Sequence, residues 1–168
     1  MEITRVWAMP NRWTFTIKPI RELLEQYVNR GLWVDPFAGE NSPASLTNDI
    51  NPKRDTDSNM DALEFLRGLP SNTYDGVLYD PPYSIRQAKE CYDNYGVTAL
   101  EIKPNQMNYW SECKKEIARI CKKGGIVISF GWNSMGIGKN RGFNMVKVLL
   151  VPHGGSRNDT ICTVEKKI

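Results

Sequence analysis

The chain has 168 residues, 40% of them hydrophobic, and a formal net charge of +3, which is apolar matter for one substantial core and too little length to require a second. The four cysteines, Cys91, Cys113, Cys121 and Cys162, form no C-x-x-C pair and stand beside a single histidine, His153, so a zinc site is not expected. No apolar run approaches membrane-spanning length and no signal peptide opens the chain, so the expectation is a reduced, cytoplasmic protein of one domain, residues 1–168.

From the amino terminus, Arg12-Trp13-Thr14-Phe15-Thr16-Ile17-Lys18 alternates polar and apolar residues like an edge strand. Ile20, Leu23, Leu24, Tyr27 and Val28 then recur at helical spacing, with Pro19 near the start and Gly31 just past the end. A short apolar strand, Leu32-Trp33-Val34, ends in Asp35 and runs through Pro36-Phe37-Ala38-Gly39 into a turn. Only nine residues, Glu40 to Asn48, separate Gly39 from Asp49, whereas a parallel crossover takes a dozen or more. Pro43 would interrupt a helix there, so the first crossover is shortened to one turn or less. Leu46 to Pro52 reads as a further strand ending in an acid, Asp49.

Asp61 is placed to cap a short helix stopped by Gly68, and Val77-Leu78-Tyr79 is a buried strand that runs into Asp80-Pro81-Pro82-Tyr83. Trp110, Cys113, Ile117, Ile120 and Cys121 form a helix face that Gly124-Gly125 is expected to end, and Ile126 to Phe130 is another buried strand. Phe143 to Val151 and Asp159 to Glu165 flank a Gly-rich turn and read as a terminal hairpin. The expected fold is α/β, a mostly parallel sheet closed by a C-terminal antiparallel hairpin.

The chemistry concentrates at Asp80-Pro81-Pro82-Tyr83. A carboxylate at the end of a buried strand can accept a hydrogen bond from the NH2 of a planar amine. Two successive prolines remove the local N–H donors and hold the chain extended, so it offers carbonyl acceptors to the same amine. Tyr83 adds a flat face for stacking. A Pro-rich turn after a core strand would explain the tetrapeptide without any ligand.

The D-P-F-x-G segment at Asp35 to Gly39 and the D-P-P-Y segment at Asp80 to Tyr83, about 45 residues apart and each ending a predicted strand, resemble the class I S-adenosylmethionine (SAM) dependent methyltransferases. Within that group the resemblance is to the amino-methyltransferases of DNA adenine and cytosine. It implies a Rossmann-like sheet and SAM as cofactor, bound by Asp35, Phe37, Ala38 and Gly39, with Asp49 on the ribose and Asp61 and Ala62 at the cofactor's adenine. It also implies that Asp80, Pro81, Pro82 and Tyr83 hold the target amine, and that Thr14, Thr16 and Lys18 meet the methionine carboxylate. The chain departs from the family in lacking the second glycine and full helix after D-P-F-x-G.

The implied activity is methyl transfer to N6 of adenine in DNA, with an RNA-base methyltransferase or a catalytically silent nucleic-acid-binding subunit as alternatives. The stretch from Ser84 to Asn108, with Arg86, Lys89, Tyr92 and Tyr95, is the expected nucleic-acid contact region. Nothing is long enough to be an inserted recognition domain, so a homodimer mate or partner subunit is expected to supply sequence specificity.

Overall fold

The computed structural model describes residues 1–82 and 108–168. Among them, β1 (Glu2–Arg5), β2 (Trp33–Asp35), β3 (Leu46–Thr47), β4 (Tyr74–Tyr79), β5 (Cys121–Gly131), β6 (Phe143–Val151) and β7 (Thr160–Lys167) make one sheet. Its order is β1-β6-β7-β5-β4-β2-β3. Only β7 runs antiparallel to its neighbours, β5 and β6, so the sheet is mostly parallel with a C-terminal antiparallel hairpin, as the hydrophobic pattern predicts.

Successive side chains of the central strands point to opposite faces and so feed two cores. Leu78 and Ile128 meet α1 (Lys18–Tyr27), whose Ile20, Leu23 and Leu24 are buried at the expected helical spacing. Val77 and Val127 face the other side, where Leu63 and Leu66 of α2 (Ala62–Gly68) and Ile117 of α3 (Tyr109–Ile120) cover them. No helix among the described residues is long and apolar enough to cross a membrane.

Two expectations are corrected. The alternating stretch at Arg12 to Lys18 is not a strand: Thr14–Thr16 is a 3-10 turn, closed by the Thr16 hydroxyl donating to the Trp13 carbonyl at 2.8 Å. The sheet edge is instead β1, which pairs with β6 in a parallel register that sets Ile3 opposite Val148. Gly124-Gly125 does not end α3 either, because β5 already begins at Cys121. The helix stops there because Lys167 Nζ donates to the Ala118 and Cys121 carbonyls, both at 2.7 Å, satisfying groups that a last turn leaves open. Gly124, at φ +79°, lies in the irregular step between the Tyr74↔Cys121 and Gly76↔Ile126 pairs.

The shortened first crossover is present as expected. No helix lies between β2 and β3, and β3 is only two residues long. A single parallel bridge, Asn48 to Ser58, extends the sheet beyond it.

Close packing leaves no room for a side chain at Gly76. The Trp33 ring lies against Gly76, where a side-chain carbon would come within 2.5 Å of it, whereas nothing lies within 4 Å of the same position at Gly68. Gly76→Ala should therefore cost about 1–3 kcal/mol of stability in urea unfolding, the usual range for overpacking. Gly68→Ala should be neutral or stabilising by up to about 1 kcal/mol.

Candidate active site

Parallel strands gather their carboxy ends along one rim of a sheet, and in open α/β sheets ligands bind outside that rim. Here β2 delivers Asp35, β3 leads to Asp49, and β4 delivers Asp80. Asp35 is fully buried; it accepts from the Phe37 N–H at 3.0 Å and from the Ser42 hydroxyl at 2.6 Å, which closes the turn after β2. Its carboxyl is raised to about 7: burial raises it most, the Ser42 and Phe37 hydrogen bonds pull it down, and the Asp80 and Asp49 carboxylates add to the rise. Three acids far apart in the chain thus share one electrostatic neighbourhood.

Asp49 accepts from the Gly39 N–H at 2.9 Å and from the Asn51 N–H at 2.8 Å, pinning a turn in which Gly39 takes φ +54°. Trp13 covers that turn, its ring 3.6 Å from where a side-chain carbon on Gly39 would stand. The Arg12 and Arg54 guanidiniums lie 4.7 and 4.9 Å from the Trp13 ring centroid, and Arg54 also pairs with Glu40. The N-terminal segment therefore reaches the glycine turn, but through residues other than those singled out from sequence. Thr14 is half-buried, the Thr16 hydroxyl is committed to its own turn, and Lys18 lies exposed on α1, 3.9 Å from Glu22.

Asp61 is the N-cap of α2, accepting from the Leu63 and Glu64 N–H groups at 3.1 and 3.2 Å, with Ala62 buried behind it. The Tyr109 hydroxyl also donates to Asp61, at 2.9 Å, which ties α2 to α3. Tyr83 and residues 84–107 of the expected contact stretch, Ser84 to Asn108, lie outside the described residues.

The residue that sequence reasoning missed is Asn48. Fully buried, its amide donates to the Pro36 and Met60 carbonyls at 3.1 and 3.0 Å, while its carbonyl oxygen accepts from the Ser58 hydroxyl at 2.7 Å and the Met60 N–H at 3.1 Å. In Asn-Asp-Ile-Asn-Pro it looks like one more polar residue at a strand exit. Its place between β3 and the acid after it was the available signal.

Beyond β4, Pro81 and Pro82 border a cavity of about 270 Å³ whose other walls include Tyr79, Ser129, Trp110 and Trp132. Phe37 links this cavity to the acid cluster, its ring centroid 5.9 Å from that of Tyr79 and 6.1 Å from that of Trp110. The loop that closes the far side is held by buried Glu165, which accepts from the Gly138 N–H at 3.0 Å and the Ile137 N–H at 2.5 Å. Lys114 donates to the Gly136 carbonyl at 2.6 Å, and burial lowers its pKa. No group of three or more metal-ligating side chains occurs among the described residues.

No family model matches the chain, and no curated protein does. Solved structures do. A 1,6-didemethyltoxoflavin N1-methyltransferase from Burkholderia thailandensis, solved with bound 1,6-didemethyltoxoflavin and S-adenosylhomocysteine, superposes at a TM-score of 0.61 over 89% of this chain and 77% of its own, at 11% identity. TrmN from Thermus thermophilus gives 0.58 over 90% of this chain and 49% of its own, at 17% identity. A Haemophilus influenzae protein described as a methylase gives 0.52 over 90% and 95%, at 12% identity. The fold is that of the Rossmann-like methyltransferases. At such identities the likeness is one of architecture, and within this methyltransferase fold the rim carrying Asp35, Asp49 and Asp80 is where the three strands end.

Asn48 should prove structural and indispensable. Asn48→Ala strands the buried Pro36 carbonyl, while the Ser58 hydroxyl and the Met60 carbonyl and N–H lie nearer to water, so chemical unfolding should show a loss of about 3 kcal/mol, the upper end for one orphaned buried group. Asn48→Asp keeps the acceptor and loses both donors, and should be nearly as damaging.

Proposed function

We propose that the protein transfers a methyl group from SAM to the exocyclic amine of adenine, at N6, in DNA. The observation that carries the reading is the position of Asp80-Pro81-Pro82: at the carboxy end of a buried central strand, between a cluster of acids and an aromatic-walled cavity. The residues of the rim suit the cofactor. Asp49 and the Gly39 turn offer acceptors and close backbone approach for a ribose, and acids crowded around Asp35 suit a sulfonium cation. When bound, SAM supplies an electrophilic methyl group.

The protein's own part is positioning and electrostatics. An aromatic amine is a poor nucleophile because its lone pair is delocalised into the ring. Asp80 and the Pro81 carbonyl would accept its two hydrogens and favour the pyramidal nitrogen on which the lone pair is available. Tyr83 would stack on the base, which a duplex must flip out to reach such a pocket. DNA is the proposed partner, with a homodimer mate or partner subunit supplying sequence choice in place of a recognition domain.

Two measurements test this. Tritium transfer from labelled SAM to duplex DNA, single-stranded DNA and RNA, with nucleoside analysis, should yield N6-methyladenine in DNA. Asp80→Ala should lower that transfer by about a hundredfold or more while SAM binding survives. Wild type that methylates no nucleic acid, alone or with its natural partners, would leave a binding subunit as the better reading.

Calorimetry across pH tests the cofactor's charge. A cation arriving near Asp35, whose carboxyl burial holds at about 7, favours the ionised form. SAM affinity should therefore strengthen as pH rises toward 7, by up to about tenfold per unit, and level off above it. S-adenosylhomocysteine, a neutral thioether, should show little of this slope, and Asp35→Asn should flatten it for SAM. Equal slopes for both ligands would place no cation beside the cluster.

A further inference from the structure

Two buried hydroxyls in this sheet have no hydrogen-bond partner among the described residues, Ser129 Oγ and Thr163 Oγ1. They stand opposite one another, Ser129 on β5 and Thr163 on β7, and are not bonded to each other. Buried polar atoms are nearly always paired, so an orphan calls for a ligand or a reason. Ser129 has room for the first, because it lines the cavity beside Pro81 and Pro82, and it does so while only 8% exposed.

The register says which part of a ligand it would meet. Ser129 is the β5 partner of Tyr79, the residue immediately before Asp80. Residues paired across a ladder share a face, and adjacent strands lie about 4.8 Å apart. A planar ring whose amine reaches the Asp80-Pro81 segment, and whose plane fills the cavity that Pro81 and Ser129 both border, can present to Ser129 the acceptor ring atom next to that amine. In adenine this atom is N1 and in cytosine N3, both acceptors. The cavity, about 270 Å³, is at the small end for ligand sites and suits one heteroaromatic ring between Trp110 and Trp132.

We infer that Ser129 is a specificity-determining residue, its hydroxyl donating to the ring nitrogen adjacent to the reacting amine. The assignment rests on the proposed nucleobase reading and adds to it the group that reads the base edge. It also accounts for a hydroxyl at a position where an aliphatic side chain would otherwise pack.

The test is a cycle between one atom of the protein and one of the substrate. Oligonucleotides carrying adenine, 1-deazaadenine, in which N1 is a C–H, or 7-deazaadenine are methylated by wild type and by Ser129→Ala. Wild type should lose about tenfold in kcat/KM on 1-deazaadenine and little on 7-deazaadenine, the scale of one lost hydrogen bond. Ser129→Ala should lose about tenfold on adenine yet treat adenine and 1-deazaadenine alike, and using the same oligonucleotides for both proteins cancels the weaker pairing of the analogue. Its melting temperature should not fall, because the substitution removes an unsatisfied hydroxyl.

A variant that falls equally on all three bases, or melts well below wild type, would show a hydroxyl bonded within the fold and overturn the assignment. Wild type that methylates adenine and 1-deazaadenine equally overturns it as well, and leaves the methyltransferase reading standing. Wild type that methylates no nucleic acid removes that reading and the assignment with it.

Discussion

A buried carboxamide with both its ends committed holds the rim of this sheet together. Asn48 stands just past β3, at the far end of the shortened crossover from β2, and four side-chain bonds from it reach Pro36, Ser58 and Met60. Its backbone adds two more, accepting from Ala38 and donating to the Asp35 carbonyl, both at 2.9 Å. Only an amide side chain can both donate twice and accept twice from one position, which is what irregular backbone needs once it is taken out of water. The turn bearing Phe37 and Gly39 and the loop bearing Asp49 keep their shape because of it.

Shape at this rim is bound up with charge. Asp35 and Asp49 serve as fasteners for the turn, each accepting backbone or hydroxyl donors, and the carboxylates of Asp49 and Asp80 both press on Asp35. Such a cluster is strained electrostatically when left to itself, and a positive ligand relieves it. The structural role and the proposed binding role therefore fall on the same side chains, and Asp35 is a part of the fold first.

The architecture was legible in the sequence because burial wrote it there. Val77-Leu78-Tyr79 and Ile126 to Phe130 are apolar runs that only a doubly covered strand explains, and the spacing of Ile20, Leu23 and Leu24 allows only one helix face. What escaped was decided by contacts between distant residues. Trp13 looks like an alternating strand residue, yet Thr16 folds the chain back on it and sets its ring over Gly39. Gly124 looks like a helix stop, yet a lysine from the last strand does that work. Ser129 is unremarkable within an apolar strand, and only the fold shows that its buried hydroxyl borders a cavity and has no hydrogen-bond partner among the described residues.

The edge strand β1 also constrains how the molecule can be made. Ile3 pairs with Val148, and the buried His153 ring holds the Ala8 carbonyl at 2.9 Å, so β1 joins the sheet only after β6, far later in the chain, exists. Contacts of such sequence separation are slow to form, since loop closure must precede any gain from pairing. The opposite edge, β3 against β2, closes within a short local stretch. The sheet can thus assemble outward from β2 and β4 during translation, with β1 docking last, and until then the apolar flank of β6 stays open to water and to neighbouring chains.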